Sequence, residues 1–165
     1  MKKFDAERLA PPGFPFVTEQ ALFWIGIAIA ACYSFLFFSS FSDALDTLYL
    51  DYSGGRRVLD SSAVMPDFKE LLGSSLYGFP TVACSTIFFV VLHYTSFSQG
   101  SKSIYLMRRL PDPWELHKRC LTLPLLGAVT ALVLGFLVLL LYFGIYEIMT
   151  PNSCLMPDQW AKLWR

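Results

Sequence analysis

The sequence has little charge, and what it has is kept out of three long stretches. Ala21–Phe41, Leu76–Phe97 and Leu121–Tyr146 contain no Asp, Glu, Lys or Arg, and the one imidazole among them is His93. Charged residues make up 16% of the chain and hydrophobic ones 55%, against about 25% and about 45–50% in soluble domains. That excludes an ordinary soluble fold. Each stretch reaches the roughly 20 apolar residues that a helix needs to cross a hydrocarbon core. The stretches are continuous rather than alternating, so they read as helices and not as barrel strands. Other absences narrow the chemistry. No acid pair, Ser–Lys or Ser–His set or metal-ligand cluster lies inside the stretches, which argues against an enzyme and predicts no cofactor or metal. No G-x-x-x-x-G-K-[ST] loop occurs, so any nucleotide hydrolysis belongs to another protein. Thirteen basic and thirteen acidic residues cancel, which disfavours a nucleic-acid partner. Cys32, Cys84, Cys120 and Cys154 show no disulfide or metal spacing and read as small apolar filler.

What is there predicts an all-α integral membrane protein: one membrane domain with three transmembrane helices plus short interfacial helices. The first stretch is long, follows Asp5, Glu7 and Glu19, and has no small-x-small cleavage site after "FLFFSSF", so it reads as a retained span rather than a signal peptide. Basic residues set the orientation. Lys2, Lys3 and Arg8 precede span 1 (21–41). Arg56, Arg57 and Lys69 lie in the first loop (42–75), among six acids. Lys102, Arg108, Arg109, Lys118 and Arg119 crowd the second loop (98–120), between span 2 (76–97) and span 3 (121–146), and Lys162 and Arg165 are in the tail (147–165). A cytoplasmic N-terminal segment (1–20) and second loop, with the first loop and tail outside, place the larger basic share inside. This predicts a multi-pass protein of the cell membrane.

Within the polar segments, Thr18 reads as the N-cap of span 1, and Phe14, Phe16, Phe23 and Trp24 as interface anchors. "LYLDYSGGRRVL" reads as two extended pieces about a Gly54–Gly55 turn. "MPDFKELLG" reads as a short amphipathic helix capped by Asp67, apolar at Phe68, Leu71 and Leu72, and ended by Gly73. Such a helix is expected to lie on the outer membrane surface or to lid a neighbouring subunit. His93 is a suspect as an intramembrane titratable group, but it lies about one turn from Ser98 and is expected to reach the interface. Pro124 is expected in the first turn of span 3. Gly127, Ala131 and Gly135 have small-xxx-small spacing. Trp160 and Trp164, at i,i+4, suit an interfacial turn.

The densest polar stretch is "GSKSIYLMRRLPDPWELHKRC", Gly100–Cys120. Leu110–Pro111 breaks any helix coming from span 2. Asp112 then stands at an N-cap, Pro113 at the first helical position, and Glu115 three residues after Asp112, an acidic form of the capping box. Glu115 and Arg119 form an i,i+4 pair. A short helix is thus expected over Pro113–Arg119, exposing Trp114, His117, Lys118 and Arg119 and feeding into span 3. Trp and Arg dominate contact energies, so the element reads as a docking surface, with anionic lipid as the competing partner.

"GSKSIYLMRRLPDPWELHKRCLTLPLL" resembles the segment after the second span of bacterial ABC exporter permeases of the type-2 class, at Lys102, Ser103, Tyr105, Leu110, Pro111 and the helix from Trp114. The resemblance implies a coupling helix that seats on a separate ABC ATPase subunit. The partner-docking set is then Lys102, Ser103, Tyr105, Arg108, Arg109, Leu110, Pro111, Asp112, Trp114, Glu115, His117, Lys118 and Arg119. Permeases of that class have about six spans, and three are seen here. The expected function is therefore a membrane subunit of an ATP-driven exporter, completed by further membrane subunits or by self-association. The alternative is a small non-catalytic scaffold or assembly protein packed against a larger membrane partner.

Overall fold

The computed structural model describes residues 16–52, 56–60, 62–98 and 114–164. It is mostly helical, and three helical stretches are long and apolar enough to cross a membrane: Val17–Thr47, Gly78–Thr95 and Cys120–Met149. The elements in chain order are α1 (Phe16–Ser34), α2 (Leu36–Thr47), β1 (Tyr49–Tyr52), β2 (Arg56–Leu59), α3 (Phe68–Leu72), α4 (Gly78–Ser98), α5 (Trp114–Met149) and α6 (Gln159–Leu163).

The first helical stretch is longer than its uncharged run. α1 already includes Phe16 and Val17, so Thr18 lies inside the helix and caps nothing. α2 carries on through Asp43 and Asp46 to Thr47. The reason is amphipathicity: Phe37, Phe41, Ala44 and Leu48 bury along one stripe, while Ser42 and Asp43 face outward, the pattern that packs a helix on one side. The two helices meet at Phe35, where i→i−3 backbone bonds (Phe35 N–H to Cys32 O, Phe38 N–H to Phe35 O) tighten the turn.

α4 lies between α1 and α5, and small residues bring the backbones together. A Cβ on Gly78 would lie 2.8 Å from Ala30 Cα, and one on Gly135 would lie 2.8 Å from Phe79 Cβ, so neither position has room for a side chain. Ala131 is fully buried between Gly127 and Gly135, so the small-residue stripe of α5 is its seam against α4. α5 has 36 residues, with Pro124 in its interior and not in its first turn. The helix simply begins ten residues earlier, at Trp114, and no break separates the end of the second loop from span 3.

The far end of the bundle is closed by a small cap. β1 and β2 form an antiparallel hairpin with Tyr49 opposite Leu59 and Tyr52 opposite Arg56; the Gly54–Gly55 turn lies outside the described residues. α3 has its expected apolar side, since Phe68, Leu71 and Leu72 are buried, and Gly73 at φ +46° ends it. That apolar side is turned into the chain's own interior, while Lys69 and Glu70 are exposed. It fills a core with Phe37, Phe41, Leu48, Met65, Tyr142 and Tyr146. Asp67 stands at its N-cap but makes no capping bond. The Phe68 N–H donates to Gln159 Oε1 at 3.0 Å, which leaves the Asp67 carboxylate to accept from Gln159 Nε2 at 3.0 Å and Lys162 Nζ at 2.7 Å. α6 packs Trp160 edge-on against Phe143 and Trp164.

Candidate functional site

Most of the expected docking set lies outside the described residues: Lys102, Ser103, Tyr105, Arg108, Arg109, Leu110, Pro111 and Asp112 all fall within 99–113. Trp114, Glu115, Lys118 and Arg119 are placed by their backbone in the first turns of α5, and their side chains are outside the description. His117 is described and exposed. It is not wholly given over to a surface, because its Nδ1 lies 2.7 Å from the Tyr94 hydroxyl of α4, with the two rings 5.7 Å apart.

A second constellation stands one turn further along α5. His93 is fully buried, so it does not reach an interface. Its Nε2 lies 3.1 Å from Glu19 Oε2 on α1, and its Nδ1 lies 3.2 Å from the backbone oxygen of Cys120 on α5. Glu19 is only 8% exposed. Three helices thus meet on one imidazole. The Cys120 carbonyl is open to this contact because of Pro124. In an α-helix the C=O of residue 120 would accept from the N–H of residue 124, and proline has none. The oxygen is a buried acceptor in need of a donor, and His93 supplies it.

Beside the pair, a cavity of about 240 Å³ opens between α1, α4 and α5, with Glu19, Phe23, Trp24, Phe89, Leu126 and Thr130 among its lining residues. Its walls are apolar and aromatic, with Glu19 the acidic residue among them. Mostly apolar concavities with a few placed polar groups are the usual form of a small-ligand site. Phe23 and Trp24, read from the sequence as interface anchors, line this cavity and meet edge-to-face at 5.5 Å.

Sequence reasoning set His93 aside and did not single out Glu19. Two signals pointed to the pair. An acid near the start of the first helix and an imidazole near the end of the second come to the same end of the bundle when consecutive helices alternate in direction. A proline four residues after Cys120 marks an unclaimed carbonyl there. Among the described residues no group of three His, Cys, Asp or Glu stands where it would hold a metal ion. Cys32, Cys84, Cys120 and Cys154 are all free thiols. Comparison with protein-family models, with curated proteins and with solved structures found no match.

Proposed function

We propose that the chain is a multi-pass subunit of a bacterial ATP-driven exporter in the cell membrane, and that it docks a separate ABC ATPase through the cytoplasmic segment 98–120. The N-terminus lies inside, and the hairpin and tail lie outside. The observation that carries this reading is α5. It runs without a break from Trp114, inside the segment that resembles a coupling helix, to Met149 beside the cap. At 1.5 Å per residue it is about 54 Å long, well beyond the roughly 30 Å of a hydrocarbon core. Tyr142 and Tyr146, near its far end, are buried in the cap core. A push delivered at Trp114 by nucleotide-driven closure would therefore move the cap as a rigid body, which is how such transitions are transmitted. Hydrolysis itself is assigned to the partner.

A second reading, a scaffold packed against a larger membrane partner, is favoured by how little the helices cover one another. Only 17–28% of the most apolar windows of the three candidate spans is buried within the chain, so most of that surface is left for lipid or for other membrane chains. The test is a mild-detergent pulldown of the tagged chain from its native host, beside a Trp114→Ala, Arg119→Ala double variant. An ATPase that accompanies the wild type and is lost from the variant supports the exporter subunit. Membrane proteins without an ATPase, or an ATPase held undiminished by the variant, support the scaffold.

A further inference from the structure

Glu19 and His93 constrain each other's protons, and the constraint can be counted. A backbone carbonyl only accepts, so the contact of His93 Nδ1 with Cys120 O at 3.2 Å requires a hydrogen on Nδ1. The contact of Nε2 with Glu19 Oε2 at 3.1 Å requires one more hydrogen between them. If that hydrogen sits on Nε2, the ring is an imidazolium facing a carboxylate. If it sits on Oε2, a neutral ring accepts from a carboxylic acid. The two forms interconvert by moving one proton along one hydrogen bond, and both are neutral overall. Take that proton away and the unit becomes a carboxylate facing a nitrogen lone pair, with a net charge of −1 and no hydrogen bond between the two, while Nδ1 still donates to Cys120 O. Histidine tautomers follow from the hydrogen-bond network in this way, and here Pro124 fixes the network by freeing the acceptor.

We propose that Glu19 and His93 form a one-proton binding site between α1, α4 and α5, beside the cavity that Glu19 lines. The site adjoins the docking segment at Cys120, but it stands whether or not the chain engages an ATPase. Emptying it cuts the polar tie between α1 and α4 at this end of the bundle. Among the described residues, these titratable groups stand near it. α1 contributes Glu19. α4 contributes Tyr94 next to His93, its hydroxyl turned to His117. α5 contributes the buried Cys120 and, a turn earlier, His117, with Lys118 and Arg119 preceding Cys120 in sequence.

The test is nuclear magnetic resonance of the full chain in phosphatidylcholine vesicles, labelled with 15N on histidine and 13C on the glutamate carboxyls. The chain has two histidines, so a His117→Gln background leaves His93 alone in the nitrogen spectrum. Glu19→Gln assigns the Glu19 carboxyl by its disappearance. The expected result is an Nδ1 that carries a proton, with the Nε2 and Glu19 carboxyl signals both shifting in the same step as the single shared proton leaves. A neutral ring with its hydrogen on Nε2 and a bare Nδ1 would overturn the proposal. So would a Glu19 carboxyl and a His93 ring that titrate at separate midpoints. Both overturning results are read on the Glu19-containing chain, so a Glu19→Gln variant that failed to fold would leave the test intact.

Discussion

The two ends of this helical bundle are held in different ways. At the cap end, apolar contact does the holding. Phe37 stacks on Tyr142 with ring centroids 4.6 Å apart, Phe41 and Phe68 close around them, and Phe37 and Phe68 are fully buried. Several of the polar groups there pair across the cap. The Ser34 hydroxyl donates to Ala31 O at 2.7 Å and so accepts from the Tyr142 hydroxyl at 2.8 Å, and the Tyr146 hydroxyl donates to Pro66 O. At the Glu19 end the described residues form no such cluster, and a cavity lies between the three helices. The three helices there are joined through one imidazole. An apolar core is insensitive to pH and to a single proton, whereas a shared-proton contact is lost with that proton. The cap is thus built as a clamp, and the opposite end as a tie that can be released.

Two substitutions break the comparison at either end. Phe37→Ala removes a fully buried aromatic with ring partners on α2, α3 and α5, a change that costs about 3–5 kcal/mol in a well-packed core. It should lower the unfolding midpoint of the detergent-solubilised chain strongly and equally at every pH tested. Glu19→Ala removes the carboxyl that faces His93 Nε2, a buried contact worth about 1–3 kcal/mol. Its effect should be smaller, and hydrogen exchange should locate it at the start of α1 and the end of α4, with cap protection unchanged. If exchange in the cap rises as much as at the Glu19 end, the two ends are one cooperative unit and the distinction fails.

The contrast also explains what the sequence revealed. Helical spans are legible because lipid tolerates few backbone solutions and because uncharged runs of this length are rare. α3 and the hairpin were legible from local turn and capping chemistry around Gly73 and Gly54–Gly55. The length of the first helical stretch was not, because charge at Asp43 and Asp46 ends an apolar run without ending an amphipathic helix. The role of α3 was hidden too. Whether Phe68 faces lipid, another subunit or Tyr146 depends on where the tail returns, and that contact spans about eighty residues of sequence. Pro124 is the most instructive case. Its position relative to the apolar run suggests a first-turn proline, whereas its position relative to the helix start at Trp114 makes it the residue that opens Cys120 O to His93. The pair needed three segments brought together at once, and no local pattern encodes that.

The smallest expected effect sharpens the comparison from the cap side, where one polar contact does respond to pH. Asp67 is held below the ordinary carboxylate range by its hydrogen bonds from Lys162 first and Gln159 second. The Asp67 and Lys162 side chains are 37% and 35% exposed, so solvent screens the pair and Asp67→Asn should cost only about 0.2–1 kcal/mol near neutral pH. A carboxyl whose folded value is depressed contributes stability that is fully present above its unfolded value and is lost as pH falls through the folded one. The difference in unfolding midpoint between wild type and Asp67→Asn should therefore be constant from neutral pH down to the unfolded carboxyl range, then shrink in acid as Asp67 is protonated in the folded state. A difference that stayed the same well below that range would mean that Asp67 acts through the shape of the α3–α6 contact and not through its charge.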